Sequence, residues 1–531
     1  MLSTSCNKAG YRQNQAKLSG FYKIQNYKQA QDLVISDRFL PDKDDVLLKN
    51  LETGMAYLSN ENACIAVRFF DKASNVVQEQ YTKSLKDDIA SGVDAKDGIY
   101  YGQTYEKSLL NFYKSLANYK VYNEGICHIL THKKADSVKT MSETKSDMLS
   151  DSTSSQQQQN GNNKVALTQM SIETKTLAEP EKKTYFNASK ASIMYWDSWM
   201  KGRKIECNDQ LYMDDLLLKL WGAFIHEQSG SSSDIQIAKQ LYKDAINVAR
   251  VRYAIYKTFN GGNIDFIKHI KEPATRMQYL DKNNTYFADI EDYATNQLKR
   301  LNSGKQANFA VFLQDNVVAE KVAKKEMHPL NIATLALAGN VATFAAGLLS
   351  NSFEFEKPVI SYYDNNYKYY YSLWNGKKKL LERPIVLAEP VVDMAYENLQ
   401  EKIDGIVLKT QAKVTAQMVA GILAAWASYE GMSNVNEMLA MATAMGVFAG
   451  YSKLIENAGI VDTRQWVSLP ANIFMATDNI KSGKYTLKII KRQNALNTTV
   501  KAGIVNTAQE QLVYQKPIEI GKKMTFIDIR I

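Results

Sequence analysis

The chain has 531 residues, with 45% apolar and 23% charged side chains. That is enough for two to four domains of roughly 100–200 residues, each with a real core. Formal net charge is +9, and residues 478–531 alone hold ten basic and four acidic residues, a solvated basic face or an attractor of phosphate, anionic lipid or glycan. The four cysteines, Cys6, Cys64, Cys127 and Cys207, form no CxxC, which excludes a zinc ribbon and a thioredoxin-type motif.

Helical periodicity dominates the first third. Residues 18–34 read as a helix ending near Gln25, a turn at Asn26 and a second helix carrying Tyr27, Ala30 and Leu33. Residues 51–77 repeat the plan, with Gly54 on the first helix, a turn at 60–62, and Ala66, Phe69, Phe70 and Ala73 on the second. Residues 109–135 and 216–249 read the same way, the latter with Gly222 on its first helix. Cys64 and Cys127 fall in these patterns and read as small buried hydrophobes. A small residue where two helices touch is what a tetratricopeptide hairpin requires, so residues 1–304 are expected to form a tetratricopeptide-like helical domain. An irregular helical bundle is the alternative. Residues 136–183 interrupt it with DSTSSQQQQNGNNK, which is too polar to bury a core and predicts a flexible low-complexity insertion, with a short helix at 167–176.

After about Gly304 the pattern changes. Residues 308–318 and 353–360 predict strands, and 367–374 with 379–388 predict a hairpin about Asn375-Gly376. Residues 390–410 predict an amphipathic helix with Asp393, Glu397 and Glu401 on its solvated face. Residues 414–451 predict an Ala/Gly-rich helical hairpin around Gly431, in which Ala416, Ala420 and Ala424, and Ala442, Gly446 and Gly450, let backbones approach. Residues 331–349 carry polar side chains and 414–429 are too short for a span of about 20 residues, so both read as buried or packing helices. Strands at 471–477, 485–491, 511–520 and 524–531 complete a terminal sheet over 470–531. The expected fold class is α+β: helical repeats, then a mixed domain at 305–531 with the inserted hairpin.

Several segments carry a resemblance. Residues 100–113 (YYGQTYEKSLLNFY), 308–322, 462–473 (DTRQWVSLPANI) and 483–486 resemble, in this order, pieces of a family of bacterial envelope lipoproteins with tetratricopeptide-like N-terminal helices. The Asp-x-Arg-x-Trp-x-x-Leu-Pro-Ala piece is the most specific. The glutamine-rich insertion and the missing lipoprotein signal depart from the family. The resemblance implies a protein of the bacterial periplasm, anchored to a membrane, the outer one being expected. It supplies no catalytic residues. Small residues before Cys6 resemble the end of a lipobox if the chain starts upstream, which makes Cys6 the lipidation candidate.

Few constellations point to chemistry. Glu124, His128 and His132 lie four apart and read as a polar helix face; two histidines at that spacing can chelate a metal, but none is expected. No phosphate loop, dinucleotide fingerprint or GxSxG elbow occurs, and no catalytic residue or cofactor is expected. Asp462, Arg464 and Trp466 alternate on an extended segment, where Asp462 and Arg464 pair and Trp466 packs beside the guanidinium, as a latch between hairpin and terminal sheet or as a recognition site. Tyr369, Tyr371 and Trp374, in a tyrosine-rich run next to lysines, are the candidate aromatic surface. The expectation is a non-enzymatic scaffold that binds partner proteins through its helical repeats, with no nucleic acid and with homo-oligomerisation left open. The alternative is a membrane-active protein whose Ala/Gly-rich hairpin inserts into or lies on lipid.

Overall fold

A computed structural model describes residues 4–36, 38–91, 99–132, 170–206, 214–260, 285–329, 337, 339–348, 352–361, 367–493 and 510–531. The protein is mixed α and β, with a large, nearly closed sheet. Helices come first: α1 (Thr4–Lys23), α2 (Tyr27–Val34), α3 (Val46–Ser59), α4 (Ala63–Ser91) and α5 (Thr104–Glu124). A ribbon of β1 (Ile126–His132) and β2 (Met170–Thr176) follows, then α6 (Glu179–Glu206), α7 (Leu216–Ser229), α8 (Ser232–Val251), the single turn α9 (Lys257–Asn260) and α10 (Thr285–Asn302).

Local chemistry explains the helix pairs. Asn26 caps α2 through Gln29 N, Asp215 caps α7 through Leu218 N, and Ser231 caps α8 through Asp234 N. Gly54 sits where α3 crosses α4, and a Cβ there would lie 2.6 Å from the Phe70 ring. Gly222 plays the same part in α7, with a Cβ falling 2.8 Å from Ile193. The pairs at 18–34, 51–77 and 216–249 are therefore helical as expected. The pair at 109–135 is not. Gly125 ends α5 in the left-handed conformation (φ 69°), and the chain leaves as β1, antiparallel to β2 with Ile126 opposite Thr176. The helix expected at 167–176 is accordingly strand β2 from Met170, and residues 179–183, expected within the flexible insertion, begin α6; residues 136–169 of that insertion lie outside the described residues.

The C-terminal half holds β3 (Phe309–Asp315), β4 (Lys321–Pro329), α11 (Gly339–Leu348), β5 (Ser352–Ile360), β6 (Tyr367–Asn375), β7 (Lys378–Glu389), α12 (Val391–Ser433), α13 (Glu437–Ala458), β8 (Asn472–Asp478), β9 (Gly483–Gln493), β10 (Glu510–Ile520) and β11 (Thr525–Arg530). Seven strands form one sheet in the order β10-β9-β6-β7-β8-β3-β11, antiparallel except for β11 on β3. The two edge strands approach at one end, where Thr525 Oγ1 donates to Glu519 O (3.2 Å). Strands β4 and β5 pair separately as a ribbon.

A single apolar core runs from Leu18 to Ile529, so the boundary expected at residue 304 marks no break in packing. Phe112 of α5 stacks on Phe312 of β3 with centroids 5.3 Å apart, and Trp221 of α7 meets Phe526 of β11 at 5.9 Å. Tyr293 of α10 shares a hydrogen bond with Thr477 of β8 (2.8 Å). The helices thus cover one face of the sheet.

Two cysteines differ from the expectation of free, buried hydrophobes. Cys64 of α4 and Cys127 of β1 form a disulfide, with Cα atoms 5.3 Å apart and a sequence separation of 63 residues. Closing a loop of that size removes about 4 kcal/mol of chain entropy from the unfolded state. Cys64→Ser should lower unfolding stability by about 2–5 kcal/mol, and dithiothreitol should lower the wild-type midpoint but not that of the variant. Four free thiols titrating in the non-reduced, denatured wild type would show that the bridge does not form.

Candidate functional site

The segment from Val461 to Ala471 leaves α13 and leads into β8. Alternation predicted that Asp462, Arg464 and Trp466 share one face; Asp462 is exposed and Arg464 half-buried, whereas Thr463 and all residues from Gln465 to Ala471, Trp466 among them, are buried. The segment runs irregularly between the helical layer and the sheet, so its backbone donors need partners inside the protein. Two carboxyl groups on the helices supply acceptors for them. Glu106 Oε1 accepts from Trp466 N (2.9 Å), and Glu52 Oε1 accepts from Val467 N (2.7 Å).

Asp462 and Arg464 do pair, with Nη2 2.7 Å from Oδ2, and the guanidinium also reaches Asp45 Oδ1 (2.7 Å). The ring beside that guanidinium is Tyr100, 5.7 Å away, not Trp466. Trp466 is fully buried between Phe70 (6.3 Å) and Tyr113 (5.7 Å), and its Nε1 donates to Ser468 Oγ (2.9 Å). It therefore fastens the segment to α4 and α5, in place of joining hairpin to sheet. Sequence alternation could not reveal this, because the contacts lie more than 350 residues away along the chain.

The tyrosine run divides by face. Tyr369 and Tyr371 point inward and are fully buried, Tyr369 against Phe474 (4.9 Å) and Tyr371 donating to Asp478 Oδ2 (2.7 Å), so neither is a surface residue. Trp374 is half-buried under Lys488 (4.4 Å), and Tyr370 under Arg492 (4.4 Å). Cations of the basic C-terminal stretch thus cover the aromatic rings that remain.

Glu124, His128 and His132 do not share a helix. Glu124 closes α5 and both histidines lie on β1, where four residues span about 13 Å. His128 Nδ1 instead meets Thr174 Oγ1 (3.2 Å). Cys6 falls on α1, and its side chain lies outside the described residues. Asp393 and Glu397 were expected in solvent but are buried; Asp393 accepts from Thr258 N (2.9 Å). With Glu389, which accepts from Tyr253 Oη (2.8 Å), and Asp215, they surround Tyr256, whose hydroxyl is held well above its usual range by burial and by those carboxylates. No sequence pattern distinguishes these buried acids from surface ones.

The largest departure from expectation is the hairpin. Val391–Ser433 form one helix of 43 residues, about 65 Å long. Its first two turns are buried in the core, and the rest leaves the body with α13 beside it. Phe353 and Phe355 of β5 pack on Val414 and Met418 at the base, and α11 rests near the tip, Phe344 against Trp426 (5.2 Å). Gly421 is the close crossing: a Cβ there would lie 3.0 Å from Tyr451. The stripes expected to join the helices face elsewhere. Ala416, Ala420, Ala442, Gly446 and Gly450 are exposed, and only Ala440 and Ala444 of α13 are buried. Residues 339–348 and 414–429 do pack, on each other, on β5 and on α13, whereas α13 itself is mostly uncovered. Between Val414 and Ser452 only Glu430 and Glu437, both next to the turn, carry charge.

No protein-family model matches the chain, and neither a curated protein nor a solved structure is significantly similar to it.

Two outcomes follow from the buried segment. Trp466→Ala should cost about 3–5 kcal/mol of stability. Hydrogen exchange should then accelerate in α4 and α5 as well as in residues 461–471; acceleration confined to residues 405–458 would contradict this contact set. Burial, the largest influence, pushes the Glu52 carboxyl up to about 8, against the hydrogen bonds from residues 467 and 468. Folding therefore favours the protonated acid. Its stabilising effect is complete below the unfolded-state value near 4.5 and is lost as pH rises through about 8. Glu52→Gln should remove that loss. The stability difference, variant minus wild type, should rise across pH 5–8 by on the order of 1 kcal/mol per pH unit; other raised groups, Glu389 among them, cancel in it. A flat difference would refute a protonated Glu52.

Proposed function

We propose that the protein is a non-enzymatic scaffold of the bacterial cell envelope that engages a membrane through the arm of α11, α12 and α13. The observation that carries this reading is the state of α13. Among the described helices it alone is long and apolar enough to cross a membrane, yet only 11% of its apolar stretch is buried. Val435 and Met438 at the turn are 83% and 84% exposed. Soluble monomers rarely show so continuous an apolar surface without a partner. Lipid suits a surface that has almost no charge along its length and places its two carboxylates at the turn.

The compartment enters through the disulfide. A bridge such as Cys64–Cys127 persists in oxidising surroundings, including the periplasm. The resemblance to envelope lipoproteins supports the same placement, with a lipid at Cys6 as a second attachment to the outer membrane. The tetratricopeptide-like character of the helix pairs, supported by Gly54 and Gly222 at two crossings, gives the body a surface for a protein partner. No cofactor belongs to this reading.

Flotation with vesicles of phosphatidylethanolamine and phosphatidylglycerol tests it. The full chain, made without lipidation, should float, whereas a variant with Val435→Asp, Met438→Asp and Met445→Asp should stay at the bottom of the gradient. Each buried aspartate costs about 2.5–3.5 kcal/mol in an apolar bilayer. All three positions are exposed in the free protein, so its circular dichroism and melting should not change. Wild-type protein that remains with the soluble fraction would overturn the membrane reading.

A further inference from the structure

A cleft opens on the body where β4 begins, between the N-terminal part of α12, the start of α5 and the residues around Arg464. Its water-accessible space is about 40 Å³, room for about two or three waters or a small polar group. Lys321, Lys402 and Arg464 line it, and no carboxylate does. Two of these cations are engaged already. Arg464 holds Asp462 and Asp45, and Lys402 donates to Gln103 Oε1 (2.9 Å). Lys321 differs. Its backbone N–H donates to Gln465 Oε1 (2.9 Å), but its half-buried ammonium has neither a hydrogen bond nor an ion pair with any of the described residues.

An ammonium taken out of bulk water without a counter-charge is unfavourable, and a bound anion relieves it. Burial pushes the Lys321 ammonium down, while Asp462 and Glu106 pull the other way, so the surrounding acids offset only part of the cost. The charge count sets the ligand. One uncommitted ammonium matches one negative charge, whereas a phosphate dianion would need the Arg464 fork, which two aspartates fill. Ile360, Leu399 and Ile406 form the apolar part of the wall, suited to a short aliphatic stem, and Asn398 adds an amide donor at the edge.

We propose that this cleft binds a monocarboxylate with a short apolar stem, its carboxylate on the Lys321 ammonium. The chemistry is shared by a small aliphatic acid and by the C-terminus of a peptide ending in apolar residues. The site does not depend on the membrane reading, since the cleft lies on the body.

The full-length protein, labelled with [ε-¹³C]lysine, would be titrated with butyrate and with butyramide and followed by NMR. The Lys321 resonance, assigned by its loss in Lys321→Met, should shift saturably with butyrate and remain in place with butyramide. Butyrate affinity, followed from the ligand's own signals, should fall at least tenfold in Lys321→Met. Acetyl-Ala-Val-Leu as free acid and as amide separates the sources. A free acid binding at least tenfold more tightly than butyrate, with the amide silent, assigns the site to a peptide terminus; equal affinities assign it to a small acid. Three outcomes overturn the proposal: no saturable shift with butyrate, an equal response to butyramide, or undiminished butyrate binding to the variant. The acid–amide comparison needs only wild-type protein, so misfolding of the variant would not shield it.

Discussion

A chain segment that crosses the interior between two layers of structure cannot use water to satisfy its backbone, and residues 461–471 meet that constraint with the carboxyl groups of two helix glutamates. Glu106 collects three donors: Tyr100 Oη (2.5 Å), Gln103 N (2.6 Å) and Trp466 N (2.9 Å). Glu52 takes Val467 N from the other side. Further along, Val318 N donates to Leu469 O (2.8 Å), Ala471 N to Asp315 O (3.0 Å) and Val392 N to Ala471 O (3.1 Å). The segment therefore fixes the end of β3, the entry to β8 and the start of α12 in one place. Helical layer, sheet and arm are positioned relative to one another through it.

The arm's attachment uses the same device at a second point. Arg12 of α1 makes a two-pronged pair with Glu356 of β5 (3.0 and 2.7 Å), and Glu356 also accepts from Val461 N (3.0 Å). A carboxylate again holds a backbone donor while being held by a helix. Beyond this base, polarity falls away: aromatic and aliphatic contacts among α11, α12 and α13 replace the ion pairs. The arm thus passes from a hydrogen-bonded base to an uncharged stem held by apolar contacts.

Much of this architecture is legible along the chain and some is not. The helix pairs of the first half show because a 3.6-residue period and a tight glycine coincide, as at Gly54 against Phe70. The sheet strands show because apolar runs such as 309–313 and 473–476 lie between turns. The ribbon of β1 and β2 escapes notice because its strands pair only with each other across a long polar stretch. The break expected at residues 411–413 within α12 does not occur, since Gln411, Ala412 and Lys413 are all good helix formers. Which face of the tyrosine strand is buried depends on what covers the sheet, and Tyr369 meets Phe474, a residue 105 positions on. The acids at 393 and 397 look like surface charge for the same reason. The Asp462–Arg464 pair was local enough to foresee; the cleft beside it joins residues from 103 to 465 and was not.

The small ribbon has one more consequence. Register places His132 opposite Met170, so the chain departs and returns at adjacent backbone positions. The Cys64–Cys127 bridge ties the departing strand to α4, and Gly125 O accepts from Leu177 N (2.9 Å) to close the ribbon's foot. Such a doorway is indifferent to the length of what passes through it, because doubling a loop whose ends are already held costs only about 0.6 kcal/mol. A domain with neighbouring termini inserted between His132 and Met170 should therefore leave the ribbon's register and the Cys64–Cys127 bridge unchanged.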